Sequence, residues 1–143
     1  YLDQFARLLG YPIDFDTWAD IHRRMMRPRQ EVLDLVRQVK RKADVAMLTN
    51  NGMLLKASLP VCAPEVIAIF GDKAHVSAEF GVRKPDPLVY ERVCARYGHA
   101  PGESAFVDDK AENVQDAELA GLTGHLYTGL EGFRGFLAQH GLL

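Results

Sequence analysis

The sequence has little that would place it in a specialised class of protein. Its 143 residues include only two cysteines, Cys62 and Cys94, with no paired spacing. This excludes a disulfide scaffold and is typical of a reducing compartment. The apolar runs, such as residues 66–70, are far shorter than the ~20 residues of a membrane span. Residues 1–10 also lack the basic and apolar regions of a secretory signal.

No charge of one sign dominates either. The formal net charge is −2, which provides no electrostatic basis for binding nucleic acid. Hydrophobic residues make up 48% and charged residues 25% of the chain, as in ordinary globular proteins. We therefore expect a cytoplasmic globular protein with neither nucleic acid nor a membrane among its partners.

The pattern of apolar and charged residues changes near Ala43. Residues 1–43 are charged, and their apolar side chains recur at helical spacing, which predicts helices near residues 2–9, 16–26 and 30–42. After that, short apolar runs alternate with amphipathic segments, which favours a parallel sheet with helices on both faces. The predicted strands are residues 44–49, 74–78, 104–107 and 123–127, and the predicted helices are residues 88–97, 112–120 and 130–139. Residues 61–70 leave both strand and helix open, although Pro64 could start a helix.

Polar groups follow three of these strands, where ligands bind in a sheet of this kind. After the first strand, Thr49 offers a hydroxyl, and Asn50, Asn51 and Gly52 offer backbone N–H groups, an arrangement that suits phosphate. Helix capping by Thr49 with an Asn-Gly turn is the alternative explanation.

Lys84 lies between the second strand and a helix that proline residues open. A lysine there can neutralise phosphate oxygens and keep nearby carboxylates ionised. The alternative is a solvated loop lysine, which is the usual environment of this residue type.

Two adjacent carboxylates, Asp108 and Asp109, follow the third strand. Side by side and desolvated they would repel unless a cation lay between them, and hard oxygen ligands at a strand end suit Mg²⁺. A helix N-cap would account for one of them, but less well for the pair.

The order of these segments resembles the haloacid dehalogenase superfamily of hydrolases. The segments are VAMLTNNG, GVRKPDPLVY and FVDDKAENV, within residues 44–128. They are most similar to the phosphatase branch with a helical cap, which includes sugar-phosphate phosphatases and the phosphatase domain of soluble epoxide hydrolases. The resemblance implies a doubly wound, Rossmann-like α/β core in residues 44–143, with residues 1–43 as the remainder of the cap and its connection.

The resemblance also implies roles for individual residues. Thr49, Asn50, Asn51 and Lys84 would bind and stabilise the phosphoryl group, and Asp109 would ligate Mg²⁺. Asp108 would help to hold the metal or orient Lys84, and Asn113 would support the metal loop.

The family's first motif, an apolar strand ending in D-x-D, is missing from this sequence. Asp14 and Asp16 are not that motif, because Thr17 follows too closely and Pro12 does not suit a central strand. We expect both residues to begin a helix instead. The resemblance implies that the missing strand is the central one, so we expect it, with the nucleophilic aspartate, upstream of this chain.

The sequence thus predicts a Mg²⁺-dependent phosphatase that hydrolyses a small phosphomonoester through an aspartyl-phosphate. The chain alone would then be inactive. The alternatives are a non-catalytic binding or scaffold protein on the same fold and a truncated inactive fragment. A phospho-receiver domain also uses paired aspartates, threonine and lysine, but there the acidic pair opens the chain, whereas here it comes last.

Overall fold

The computed structural model describes residues 2–10 and 13–143. Within these ranges, three helices precede the first strand, and strands then alternate with helices to the end of the chain. The first part contains α1 (Leu2–Leu9), α2 (Phe15–Met25), α3 (Gln30–Val39), β1 (Met47–Thr49), α4 (Met53–Cys62) and α5 (Pro64–Phe70). The second part contains β2 (Ala74–Val76), α6 (Pro87–Arg96), β3 (Ala105–Asp108), α7 (Ala111–Leu119), β4 (Thr123–Leu126) and α8 (Leu130–Gln139).

Local chemistry explains where several helices begin. Asp14 caps α2 by accepting a hydrogen bond from the Thr17 N–H at 2.7 Å, which confirms that Asp14 begins a helix. Asp86 caps α6 in the same way, with the Leu88 N–H at 3.0 Å and Pro87 in the first turn. Residues 61–70, for which the sequence left two readings open, are helical: α4 ends at Cys62 and α5 begins at Pro64.

The four strands of the described residues form two parallel pairs, as the predicted parallel sheet requires. β1 pairs with β2, with Met47 opposite Ala74. β3 pairs with β4, with Ala105 opposite Thr123. The first strand is shorter than predicted, because it begins at Met47 rather than at residue 44. Among the described residues, no strand joins β1 to β3.

A cleft of about 900 Å³ lies between the edges of β1 and β3. Apolar side chains of α6, including Val93 and Cys94, cover one part of it, and side chains of α3 and α8, including Val39 and Phe133, cover another. Unpaired backbone edges that face such an apolar space are what a missing central strand would leave.

Helices α2 and α3 pack against the rest of the chain. Trp18 of α2 belongs to one hydrophobic cluster with Leu55 and Leu59 of α4. Leu35 and Val39 of α3 belong to another, with Phe133, Phe136 and Leu137 of α8. The division into a cap remainder, residues 1–43, and a core, residues 44–143, stays a prediction.

No single helix in the described ranges is long and apolar enough to cross a bilayer. Only α4 taken together with the segment Pro64–Lys73 reaches that length and composition, and the two are bent by 103°.

Candidate active site

The carboxyl ends of the strands bring the three predicted site segments into contact. Thr49 ends β1, Asp108 ends β3, and Lys84 lies in the loop between β2 and α6. Because parallel strands present their carboxyl ends at one edge of a sheet, segments that are distant in sequence meet there. Lys84, Asp108, Asn113 and Asn50 are joined by hydrogen bonds.

Lys84 and Asp108 form a covered ion pair. The distance from Lys84 Nζ to Asp108 Oδ2 is 2.7 Å, and the two side chains are 10% and 9% exposed. Burial by itself would raise the pKa of Asp108, but hydrogen bonds from Lys84 Nζ and the Lys110 N–H hold that pKa below its usual range. Asp108 is therefore a carboxylate, and Lys84 is not the solvated lysine of the alternative reading.

Asp108 makes further contacts that engage both of its oxygens. Oδ1 accepts from the Lys110 N–H at 3.0 Å, and Oδ2 also accepts from Asn113 Nδ2 at 3.0 Å. Asn113 lies in the first part of α7 and is 4% exposed. Asp109 differs, because it is exposed and its carboxylate makes no hydrogen bond or ion pair with any described residue. The two neighbouring aspartates thus have different surroundings.

Tyr90 is a buried contributor to which the sequence assigned no role, although it ends the segment RKPDPLVY. Its hydroxyl donates to the Asn113 carbonyl at 2.7 Å, and its ring packs edge-on against Phe106, with centroids 4.9 Å apart. Burial raises the pKa of Tyr90 far above its usual range, so it is a permanent donor. Tyr90 therefore links α6 to the first turn of helix α7, which contains Asn113.

The loop after β1 offers Thr49 and two asparagines with different contacts. Asn51 Nδ2 donates to Thr49 Oγ1 at 2.7 Å. The Asn50 side chain faces the backbone of Lys84, donating to its carbonyl at 2.8 Å and accepting from its N–H at 2.9 Å. Thr49 has no hydrogen bond to Lys84 or Asp108, and the Asn50 side chain links this loop to Lys84.

The residues present fit part of a magnesium site. The described part of the chain has no group of three His, Cys, Asp or Glu side chains that could hold a metal. Mg²⁺, however, is bound through one or two carboxylates, with water and substrate phosphate completing its shell. The free carboxylate of Asp109, next to the ionised Asp108, is a donor set of that kind.

Comparison with known proteins decides the family. A sequence model of haloacid dehalogenase-like hydrolases matches residues 3–121. The chain belongs to this family. The haloacid dehalogenase-like assignment confirms the resemblance seen in the three segments and removes the phospho-receiver alternative.

Two curated relatives are named as phosphatases. The chain is 34% identical over 88 residues to phosphatase MT3486 of Mycobacterium tuberculosis, a match covering 61% of this chain and 40% of that protein. It is 43% identical over 53 residues to the sesquiterpene phosphatase astK of Aspergillus oryzae, covering 37% of this chain and 27% of that protein. The matched regions thus span less than half the length of either relative.

Solved structures share the haloacid dehalogenase-like fold. The HAD family enzyme bt-2542 of Bacteroides thetaiotaomicron, in complex with magnesium and inorganic phosphate, has a TM-score of 0.69 at 21% identity, over 87% of this chain and 65% of that one. An uncharacterized protein of Corynebacterium glutamicum has a TM-score of 0.58 at 24% identity, over 79% and 80%. These likenesses confirm the predicted α/β fold.

Proposed function

We propose that this chain is part of a Mg²⁺-dependent phosphatase that hydrolyses a small phosphomonoester through an aspartyl-phosphate. One observation carries the proposal: a covered Lys84–Asp108 ion pair lies beside the free carboxylate of Asp109 at the carboxyl edge of the strands. A cation for phosphate and a carboxylate for a metal thus occur together where α/β sheets bind ligands. The naming of two relatives as phosphatases supports the same reaction.

The cleft between β1 and β3 supports the proposal that a further strand carries the nucleophilic aspartate. Neighbouring strands of a sheet lie about 4.8 Å apart, and a strand placed in the cleft would pair with the free edges of both β1 and β3. Its carboxyl end would then lie between Thr49 and Asp108. We propose that this strand belongs to a segment upstream of Tyr1 and ends in the aspartates of the first motif.

The reaction then proceeds by two displacements at phosphorus. The first aspartate of that strand attacks phosphorus, a carboxylate O–P bond forms, and the bond from phosphorus to the leaving oxygen breaks. The second aspartate donates a proton to the leaving oxygen. Water, giving up a proton to the same residue, then attacks phosphorus, which releases inorganic phosphate and regenerates the first carboxylate.

The residues of this chain hold the phosphoryl group during both steps. The Lys84 ammonium, the Thr49 hydroxyl and the backbone N–H groups of Asn50 and Asn51 would stabilise the charge on its oxygens. Asp109, with Asp108 beside it, would hold Mg²⁺, which neutralises phosphate charge when bound. Asn113 keeps Asp108 in place through its hydrogen bond of 3.0 Å.

The decisive experiment uses the natural full-length protein. Hydrolysis of p-nitrophenyl phosphate is measured with Mg²⁺ and with a chelator, for the wild type and for Asp109→Ala. We expect turnover that requires Mg²⁺ and is lost in Asp109→Ala. The matched control is Glu91→Gln, since Glu91 is an exposed carboxylate of α6 without a partner among the described residues. Unchanged turnover in Asp109→Ala would contradict the assignment.

A non-catalytic binding protein on the same fold is the second candidate. Two observations favour it: Asp14 lies at the start of α2, and none of the described strands ends in a D-x-D pair. Intact mass separates the two candidates. A natural protein near 16.0 kDa favours the binding protein, whereas a larger mass with a D-x-D strand upstream supports the phosphatase.

A further inference from the structure

Asn50 makes a contact that binding phosphate through its backbone does not require. Its side-chain amide is joined to the backbone of Lys84, 34 positions further along the chain, by one donated and one accepted hydrogen bond. We infer that Asn50 is a positioning residue, which fixes the backbone of Lys84 so that the ammonium reaches both Asp108 and the phosphoryl group. The inference rests on the proposed phosphatase function.

The Asn50 side-chain amide is complementary to the backbone N–H and C=O groups of Lys84. Nδ2 of Asn50 lies 2.8 Å from the Lys84 carbonyl oxygen, and Oδ1 lies 2.9 Å from the Lys84 nitrogen. A primary amide is the only side-chain group that offers a donor and an acceptor with the spacing of a backbone N–H and C=O. Aspartate has the same shape but has two acceptors, and serine is too short to reach both groups.

The Lys84 backbone depends on this contact. No other backbone hydrogen bond to Lys84 occurs within the described ranges, and the next residue, Pro85, has no N–H to donate. Asp86 bonds to Arg83 at 3.0 Å, which closes the turn around Lys84 without holding Lys84 itself. Asn50 therefore anchors a lysine whose loop provides little support.

Together the contacts form a bridge across the carboxyl end of the cleft. Asn50 follows β1, Lys84 lies between, and Asp108 ends β3, with Lys84 Nζ 2.7 Å from Asp108 Oδ2. Lys84 is thus held at its backbone by one side of the sheet and at its ammonium by the other. Loss of the Asn50 amide would remove the two hydrogen bonds to the Lys84 backbone, and the ammonium could then move with its loop.

Two variants of Asn50 test the inference in the natural full-length protein. Asn50→Ala removes both hydrogen bonds, and Asn50→Asp keeps the shape but places an acceptor against the Lys84 carbonyl. Displacement of a catalytic group by about 1 Å costs roughly 10- to 100-fold in rate, so we expect kcat with p-nitrophenyl phosphate to fall by that factor in both variants. The Mg²⁺ concentration for half activation should stay within about twofold, because Asp109 is untouched. Gln115→Ala, which removes an exposed amide of α7, should leave kcat unchanged.

Amide hydrogen exchange at Lys84 tests the contact independently of activity. We expect exchange of the Lys84 N–H to accelerate about tenfold or more in Asn50→Ala, because its acceptor is gone. Unchanged exchange would overturn the inference, and so would accelerated exchange with a kcat within about twofold of wild type.

An inactive wild-type protein would count against the proposed phosphatase function alone. The affinity for inorganic phosphate would then take the place of kcat. Binding weakened about fivefold or more in Asn50→Ala would support the positioning role. Equal affinity in the two proteins, or no binding to either, would overturn it.

Discussion

Lys84 and Asp108 approach to 2.7 Å, Nζ to Oδ2, with only about a tenth of each side chain exposed, at 10% and 9%. The pair joins the loop after β2 to the end of β3. Because both charges are largely withdrawn from water, each is compensated mainly by the opposite charge of its partner. Removing either partner leaves an uncompensated charge, which costs far more than the loss of a surface ion pair.

Lys84→Met should therefore destabilise the protein. We expect the free energy of unfolding to fall by about 3 kcal/mol, since Asp108 stays covered without its cation. Urea unfolding followed by far-UV circular dichroism measures this loss. Lys110→Met is the matched control, because Lys110 is exposed and its ammonium has no ion-pair partner in the described structure. A loss below about 1 kcal/mol would mean that the pair is solvated.

Asp109 and Asp108 should respond differently to conversion into asparagine. Asp109→Asn should change the free energy of unfolding by less than about 0.5 kcal/mol, because it removes no contact, yet abolish activation by Mg²⁺. Asp108→Asn should weaken folding, because Lys84 loses its counter-charge. Urea unfolding and Mg²⁺ titration of phosphatase activity on both variants separate the two roles. Equal destabilisation by the two substitutions would be inconsistent with this division.

Tyr90→Phe removes the hydroxyl that donates to the Asn113 carbonyl at 2.7 Å. We expect a loss of about 1 kcal/mol in the free energy of unfolding, since a buried hydrogen bond between α6 and α7 is lost. Tyr127→Phe provides the comparison, because the Tyr127 hydroxyl bonds to no residue in the described ranges and its removal should cost little. Urea unfolding of both variants gives the difference, and equal stabilities would refute the role of the Tyr90 hydroxyl.

Stability should decline as the pH falls below neutrality. Burial lowers the pKa of His75, despite hydrogen bonding and charge from Glu79, so the unfolded chain binds a proton at a pH where the folded protein does not. The stabilisation is fully present above the unfolded histidine pKa of about 6.5 and is lost as the pH falls through the folded value.

Glu79 extends this decline into acid. Burial would raise its pKa, but hydrogen bonds from the Val76 N–H and from His75 hold it below the usual range. The check is urea unfolding at about pH 7.5, 6.5, 5.5 and 4.0, and the last step covers the contribution of Glu79. His75→Gln should flatten the slope between about pH 7.5 and 5.5, and His140→Gln, at an exposed position after α8, should keep it. A wild-type stability that rises toward acid would contradict the sign.

Gly124 is required by close packing rather than by its backbone angles. A Cβ at this position of β4 would lie 2.7 Å from Val114 Cγ1 and 2.8 Å from Glu118 Cγ. We expect Gly124→Ala to lower the free energy of unfolding by about 1–3 kcal/mol through overpacking against α7. Gly132→Ala in α8 meets no atom within 4 Å and should be neutral or stabilising. Thermal unfolding of the two variants compares them directly.

The elements that were predicted correctly carry strong local signals. The alternation of apolar runs and amphipathic segments predicted the parallel strands, and Asp14, with its short polar side chain, predicted the start of α2. Residues 61–70 were ambiguous because a short apolar run suits a buried strand and a buried helix equally well. The late start of β1 at Met47 was also not predictable, since strand pairing depends on a neighbour that local sequence does not specify.

The order of the strand-end segments and the residue types in them could be read without a structure, because side-chain chemistry and spacing are properties of the chain. It therefore indicated the family and pointed to Thr49, Lys84 and the aspartate pair. The contacts that these residues make became visible in the fold. It separated the engaged Asp108 from the free Asp109, and joined Asn50 to the Lys84 backbone and Tyr90 to Asn113. Such contacts link positions 23 to 34 residues apart, and their geometry follows from the packing of strands and helices rather than from any local pattern.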